Sequence, residues 1–336
     1  MTVTMEGPYF DELAVGQVFD GAPGVTLTAG HAATHQAIVG DRLRLPLDAD
    51  LCRDVTGVGP LAHPALVWDV AIGQSTLVTH HVKANLFYRG LAFRRMPVIG
   101  DTLRTSTEVV ALRQNRAKPG RRPTGLAVLR ITTVDQAGLP VLDFWRCAMM
   151  PLRDPEALTG HDADLDSVGV AAADADLVEA VGGVLEGWRL DRFRDRTAGR
   201  HFSDVAEGER WLVGGGDVVS SAPELARLTL NVAQVHHDVR AAEGSRRLVY
   251  GGHTIGLALS QVARALPNLV TVVAWHGCDH VGPVHEGDTL SSEVVVERRQ
   301  ALPGEGGLVH LRSLVRATGG GEPRDVLDWR FVAVLA

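Results

Sequence analysis

The chain is an internal duplication, and this constrains its fold more than any other feature. The repeat is too long for a solenoid, whose units run roughly 20–50 residues, but it suits two copies of one domain of about 150 residues. Three matched segments define it, with offsets of 192, 187 and 185 residues along the 336-residue chain. The matches are 9–19 (YFDELAVGQVF) with 201–211 (HFSDVAEGERW), Gly100–Leu103 with Gly287–Leu290, and Val141–Trp145 with Val326–Trp329.

The repeat divides the chain into three segments. We expect an N-terminal domain at 1–153 and a C-terminal domain at 191–336. Between them, 154–190 is rich in Asp, Ala and Gly, which predicts a solvated acidic linker without a chemical role.

Composition excludes several classes of function. A net charge of −7 argues against a nucleic-acid partner. The densest basic stretch, 113–122, is interpreted as a solvated hairpin loop, with contacts to nucleotide phosphates as the alternative. Three cysteines without CxxC spacing favour reduced thiols in a cytoplasmic protein. We find neither a signal-peptide pattern nor a run of 18 apolar residues, and therefore expect no membrane contact.

Each half contains one apolar helix followed by long strands. The helices are predicted at 64–77 and 254–266, and both are apolar enough to be buried. Alternating β-forming residues predict the strands. This pattern indicates an α+β unit in which an antiparallel sheet wraps around a helix. The predicted strands are 102–110, 125–134, 141–150, 290–298, 307–317 and 326–335.

The stretch from Asn231 to His253 carries the candidate chemistry. Asn231 precedes His236 by five residues, and Tyr250-Gly251-Gly252-His253 follows at the predicted start of the buried helix. This spacing resembles the MaoC-like family of (R)-specific enoyl-thioester hydratases and dehydratases. It is most similar to the double-hotdog branch that includes mesaconyl-CoA hydratase. The opening motif and both Gly-Asp-Thr-Leu motifs also match that branch, so the resemblance covers nearly the whole chain.

The resemblance implies a double hotdog fold and reversible hydration of a 2-enoyl thioester of CoA or of an acyl carrier protein. His236 would be the base, because histidine titrates near neutrality. Asn231 would orient water, since an amide cannot accept the proton as the Asp of many family members does. The backbone N–H groups of Gly251 and Gly252 would form an oxyanion hole at a helix N-terminus.

Two flanking residues are candidate substrate contacts, Tyr250 and His253. Packing or capping is the alternative interpretation for His253. For His236 the alternative is a half-buried histidine without a catalytic role, for Asn231 a helix-capping or turn residue, and for the two glycines an ordinary tight turn.

The first half lacks the equivalent groups. Aligned by eye, Asp41 takes the position of Asn231 and Pro46 that of His236, while His63-Pro64 stands opposite Gly251-Gly252. Proline has no N–H to offer an oxyanion. We therefore predict a degenerate first site, with Asp41 as a turn or capping residue.

No cofactor or metal is expected. The spacing of a His- and Cys-rich group at 276–285 matches no standard metal site, and neither a phosphate loop nor a dinucleotide fingerprint occurs. The chain is expected as a monomer of two hotdogs or as a homodimer. Two alternative functions remain: an acyl-CoA thioesterase and a non-catalytic acyl-thioester binding protein.

Overall fold

Each half forms an antiparallel sheet around one apolar helix. The computed structural model describes residues 6–169, 181–241 and 246–336. The first five residues of the chain and 170–180 of the predicted linker lie outside the described residues.

In the first half, the first central helix is Pro64–Gln74, with proline in its first turn and every residue buried. Shorter helices occur at Ala29–Val39, Arg44–Leu47 and Ala49–Thr56. The strands are β1 (Val18–Phe19), β2 (Val25–Thr26), β3 (Ala84–Phe93), β4 (Thr102–Gln114), β5 (Thr124–Val134) and β6 (Pro140–Pro151).

In the second half, the second central helix is Gly251–Ala265. Shorter helices occur at Leu190–Arg196 and Ala222–Leu228. The strands are β7 (Arg210–Leu212), β8 (Asp217–Val218), β9 (Leu269–His280), β10 (Thr289–Ala301), β11 (Gly307–Thr318) and β12 (Arg324–Leu335).

Strands β3 and β9 join the two halves. They pair antiparallel, with Tyr88 opposite Cys278 and Leu91 opposite Trp275. The described strands thus form one sheet, with β1-β4-β5-β6-β3 continuing into β9-β12-β11-β10-β7. The predicted α+β fold, with a continuous antiparallel sheet around two helices, is confirmed.

The repeated motifs perform the same structural task in both halves. The Phe10 ring packs onto Gly125, where an added Cβ would lie 2.3 Å from the ring, and Phe202 packs onto Gly307 at the same 2.3 Å. The motif aspartates also match: Asp101 accepts a bond from the Val98 N–H. Its counterpart Asp288 accepts one from the His285 N–H.

The predicted elements agree well with the structure. The first helix begins at Pro64 and continues as a 3-10 turn to Leu77. The second begins at Gly251, three residues earlier than predicted, because the glycine pair already adopts the helical conformation. None of the helices in the described ranges is long and apolar enough to cross a bilayer.

The segment after β6 is less solvated than predicted. Asp162 of this segment forms an isolated antiparallel β-bridge with Arg113 of β4, and Leu165 is only 2% exposed. Leu165 covers apolar side chains, among them Val128 and Cys147, that strands β4 to β6 present on the outer face. This part of the predicted linker is therefore a cover for the sheet, because that face is too apolar to be left in water.

Gly73 sets how closely the first central helix approaches the second half. A Cβ at this position would lie 1.7 Å from the Thr229 carbonyl oxygen, two residues before Asn231. We predict that Gly73→Ala lowers the free energy of unfolding by about 1–3 kcal/mol, the usual cost of overpacking. Urea unfolding measures it. Gly214→Ala is the control, because nothing lies within 4 Å of the added carbon; equal stability of both variants would contradict the prediction.

Candidate active site

A cavity of about 250 Å³ opens where the two halves meet. The first half lines it with Tyr88 of β3 and Arg146 of β6. The second half contributes Asn231, His236 and the start of the second central helix. The cavity thus contains the candidate base together with side chains from both copies of the repeat.

His236 presents a single ring nitrogen to this cavity. It ends a 3-10 turn, Gln234–His236, and its Nδ1 donates to the Leu248 carbonyl at 2.8 Å. A carbonyl only accepts, so the proton lies on Nδ1, and Nε2 is left as an acceptor. Burial lowers the pKa of His236 to about 4, with the positive charge of Arg146 acting in the same direction. His236 is therefore a neutral imidazole at neutral pH.

Asn231 is positioned by its own turn. Its Oδ1 accepts from the Ala233 N–H at 2.9 Å, and His237 donates to the Asn231 carbonyl at 2.6 Å. The preceding Leu230 adopts φ 58°, which turns the chain into the cavity. Asn231 can offer the cavity its two Nδ2 donors, and an amide, unlike a carboxylate, does not take up a proton.

The second central helix begins at the cavity wall without a side-chain cap. Tyr250 is its N-cap residue and makes no capping hydrogen bond, and Gly251 lines the cavity. A Cβ on Gly251 would lie 2.7 Å from His280 Nε2, and one on Gly252 would lie 2.0 Å from Asp69 Oδ1. The glycines therefore allow close packing here, and the uncapped N–H groups form an electropositive end.

The predicted residues separate into two groups. Asn231, His236, Tyr250 and Gly251 line the cavity, whereas Gly252 and His253 do not. His253 is fully buried on another side of the helix, and neither of its ring nitrogens has a partner. Two further lining residues, Arg146 and His280, lie on strands and were not predicted from the sequence.

The corresponding region of the first half offers no base. The backbone matches: Gly40 adopts φ 70° where Leu230 adopts φ 58°, which places Asp41 opposite Asn231 and Pro46 opposite His236. Hence a proline occupies the position of the base.

The helix N-terminus of the first half is also blocked. His63 is its N-cap, as Tyr250 is in the second half, so Pro64–Ala65 stands opposite Gly251–Gly252. This corrects the sequence alignment by one residue. Pro64 has no N–H, and the Ala65 N–H donates to His63 Nδ1 at 3.2 Å.

The strand positions that line the cavity have counterparts in the other copy of the repeat, and those counterparts carry packed aromatic rings. Tyr88 pairs with Arg146 in the sheet, and Trp275 pairs with Phe331 at the matching positions. Trp275 lies 4.8 Å from Trp68 and 5.5 Å from Trp329, between ring centroids, and all are fully buried. The cluster makes this side of the duplication a packed core.

Asp41 is neither a surface turn nor a cap, which corrects the prediction. It is buried, and its Oδ2 lies 2.7 Å from His35 Nδ1. The other ring nitrogen of His35 lies 3.2 Å from Asp69, which accepts from the Tyr250 hydroxyl at 3.2 Å. The chain of contacts thus connects the first half to the tyrosine whose ring lies 5.8 Å from that of His236.

His35 is the cation of this network. Burial opposes its charge, but Asp41 and Asp69 raise the pKa of His35 to about 10. Burial also opposes the charge of Asp41, but His63 and His35 hold the pKa of Asp41 below its usual value. His35, Asp41 and His63 have the spacing of a metal site, within 4.8 Å, yet the protonated ring already occupies the place of a cation.

Two curated proteins are similar to the chain over most of its length. It is 30% identical over 327 residues to mesaconyl-CoA hydratase from Cereibacter sphaeroides, covering 95% of this chain and 92% of that protein. It is 28% identical over 364 residues to β-methylmalyl-CoA dehydratase from Chloroflexus aurantiacus, covering 99% and 98%. No family model matches the chain.

Solved structures give the same result for the fold. Rv0216 from Mycobacterium tuberculosis, described as a double hotdog, superposes with a TM-score of 0.89 at 56% identity, covering 98% and 99% of the two chains. A MaoC domain dehydratase from Chloroflexus aurantiacus superposes with a TM-score of 0.84 at 25% identity, covering 100% and 99%. The double hotdog expected from the sequence is confirmed.

The His35 network generates a prediction about stability. His35→Gln removes the cation between Asp41 and Asp69, and breaking a buried ion pair costs about 3–5 kcal/mol. Because the folded pKa of His35, about 10, exceeds its ordinary 6.5, this stabilisation is complete below pH 6.5 and is lost as the pH rises toward 10. Urea unfolding at pH 6 and pH 9 measures both effects.

The control for this prediction is His31→Gln on the same helix. Glutamine can preserve the capping box that His31 forms with Thr28, so a change below about 0.5 kcal/mol is expected. A His35→Gln protein as stable as the wild type at pH 6 would show that His35 is not the compensating cation.

Proposed function

Because the chain belongs to the MaoC-like thioester hydratases and dehydratases, in the double-hotdog branch with mesaconyl-CoA hydratase, we propose that it interconverts a 2-enoyl thioester and the (R)-3-hydroxyacyl thioester. The names of its curated relatives favour CoA over an acyl carrier protein as the carrier. The observation that carries the proposal is the neutral, tautomer-locked His236 beside an uncapped helix N-terminus in a cavity between the halves.

His236 is the general base and then the acid. In the hydration direction, Nε2 removes a proton from water while the water oxygen bonds to C3 of the enoyl group. The C2=C3 electrons move toward the thioester carbonyl and give an enolate. The imidazolium then returns the proton to C2, so one molecule of water is added and His236 is neutral again. No metal or redox cofactor enters these steps.

Asn231 holds the reacting oxygen. Its Oδ1 is engaged with Ala233, so Nδ2 donates to the water in the hydration direction and to the 3-hydroxyl in the dehydration direction. The amide positions this oxygen without taking its proton, which leaves His236 as the base. An asparagine at this position is consistent with an active site that has one base instead of an Asp–His pair.

The start of the second central helix stabilises the enolate. The N–H of Gly251 and the adjacent first-turn N–H groups have no side-chain cap, and they lie at the positive end of the helix dipole. Preorganised donors of this kind contribute roughly 2.7–4 kcal/mol each to lowering a barrier. The first half has neither these donors nor a base, so we propose one active site per chain.

Replacing His236 tests the proposed reaction. We expect His236→Ala to lower kcat by roughly 10²–10⁴-fold, the usual contribution of a general base, with little change in affinity for the CoA ester. Loss of enoyl absorbance with crotonyl-CoA, mesaconyl-CoA and a long-chain enoyl-CoA measures turnover.

His161→Ala is the matched control, because His161 packs against Phe10, away from the cavity. It should retain wild-type turnover. A wild-type protein that binds these esters but turns over none of them would instead favour a non-catalytic binding protein.

The pKa of His236 gives a second test. The base must be neutral, so protonation removes activity, and burial has lowered its pKa from 6.5 to about 4. We expect kcat/KM for hydration to remain level from pH 8 to pH 5 and to fall only as the pH approaches 4. Rates are measured after brief exposure to each pH, with a return to pH 7 to exclude unfolding. A limb near pH 6.5 would show that a solvated histidine is the base.

A further inference from the structure

The cavity contains a second histidine that the proposed hydration does not use. His280 ends strand β9 and lines the cavity. Its Nε2 is buried and has no hydrogen-bond partner among the described residues. A buried polar atom without a partner destabilises the folded protein, so packing alone does not explain a histidine at this position.

His280 lies against the start of the second central helix. A Cβ on Gly251 would lie 2.7 Å from Nε2 of His280 and 2.8 Å from its Cε1. Gly251 is the first residue of that helix, and no side chain caps the helix N-terminus. The unpartnered nitrogen therefore lies beside the backbone N–H groups that are proposed to stabilise the enolate. An oxygen bound at this end of the helix would lie next to His280 as well.

The ring of His280 is neutral and free to donate from Nε2. Burial lowers the pKa of His280 to about 4, and the nearby His236 acts in the same direction. A neutral imidazole carries one proton, and no described residue bonds to Nε2, so a substrate oxygen can select the tautomer with the proton on Nε2. A neutral imidazole can polarise a carbonyl by a hydrogen bond of this kind.

The degenerate half has an apolar residue at the corresponding position. His280 pairs with Leu327 in the sheet, and Phe93 pairs with Leu142. Leu142 and Leu327 are matched residues of the repeat, so Phe93 is the counterpart of His280. Phe93 is 2% exposed, and its ring centroid lies 6.4 Å from that of Trp68 in the core. Of the two halves, the one with the candidate base thus carries the polar side chain at this strand position.

The proton balance of the reaction leaves one role for this histidine. His236 takes a proton from water and returns it to C2, so hydration needs no second acid or base. His280 is also unsuited to be an acid, because a ring with a pKa of about 4 is unprotonated at neutral pH. The remaining role is a hydrogen bond to the oxygen on which negative charge develops.

We infer that His280 is a further catalytic residue, which donates a hydrogen bond from Nε2 to the thioester carbonyl oxygen together with the Gly251 N–H. This inference rests on the proposed hydratase function and adds a side-chain donor to its backbone oxyanion hole. The bond strengthens as the carbonyl becomes an enolate, so it lowers the barrier more than it tightens substrate binding. His280 keeps its own proton throughout.

Replacing His280 by the residue of the degenerate copy tests the inference. We expect His280→Phe to lower kcat by about 10²–10³-fold, the usual effect of losing one oxyanion-hole donor, with little change in KM. His280→Gln should recover part of this loss, because its amide N–H can donate a hydrogen bond but cannot transfer a proton. A wild-type kcat in His280→Phe, or a His280→Gln protein no more active than His280→Phe, overturns the inference.

A second histidine of β9 provides the matched control. His276 does not line the cavity, and its Nε2 lies 2.9 Å from Nδ1 of His310 on β11. His276→Phe therefore makes the same change on the same strand without touching the proposed oxyanion hole, and it should retain the wild-type kcat. An equal loss of kcat in both variants would trace the effect to the strand and overturn the inference.

An infrared measurement separates this inference from the proposed function. Butyryl-CoA has the thioester carbonyl but no C2=C3 bond, so it binds without reacting, and an isotope-labelled carbonyl gives a band that can be followed in the complex. A hydrogen bond to the carbonyl oxygen weakens the C=O bond and lowers its stretching frequency. We expect the band to lie lower in the wild type than in His280→Phe, and His236→Ala to keep the wild-type frequency.

The two possible failures give different results. A lowered frequency that depends on His280, in a protein that hydrates no enoyl-CoA, would refute the hydratase and keep the contact to the carbonyl. Equal frequencies in the wild type and in His280→Phe, in a protein that hydrates crotonyl-CoA, would refute the contact and keep the hydratase.

Discussion

The close contact between the two central helices determines the geometry of the site. Gly252 at the start of the second helix approaches Asp69 of the first so closely that a Cβ would lie 2.0 Å from Oδ1. Gly73 approaches the Thr229 carbonyl in a similar way, since a Cβ there would lie 1.7 Å from the carbonyl oxygen. Because the first helix contacts the second half this closely at both points, it fixes both the segment that leads to Asn231 and the helix N-terminus proposed as the oxyanion hole.

The two copies of the repeat have diverged, because one lines a cavity with polar side chains and the other fills the matching space with aromatic rings. In one copy the strand positions beside the helices carry Tyr88 and Arg146, and they line a cavity; in the other they carry Trp275 and Phe331, and they fill it. Asp41, at the position of Asn231, has become a partner of His35 in a buried ion network. The first half is therefore more than a scaffold, since its side chains reach the cavity and the Tyr250 hydroxyl.

The sequence predicted most of the fold, because the helices and outer strands have clear periodicity and the motifs repeat. It did not identify β3, whose residues alternate only weakly, and it did not single out Arg146 on the predicted strand β6, because the partners of Arg146 lie 71 and 67 residues away in sequence. The His35–Asp69 contact likewise joins residues 34 positions apart. His253 does not line the cavity, because it lies two positions after Gly251. A helix rotates by about 100° per residue, which places His253 on another side of the helix.

Electrostatics also bears on the proposed role of His236 as the base. Arg146 and burial both disfavour the imidazolium, so His236 remains an available acceptor. The same arginine would weaken the base by destabilising the imidazolium formed during hydration, unless an anion neutralised it.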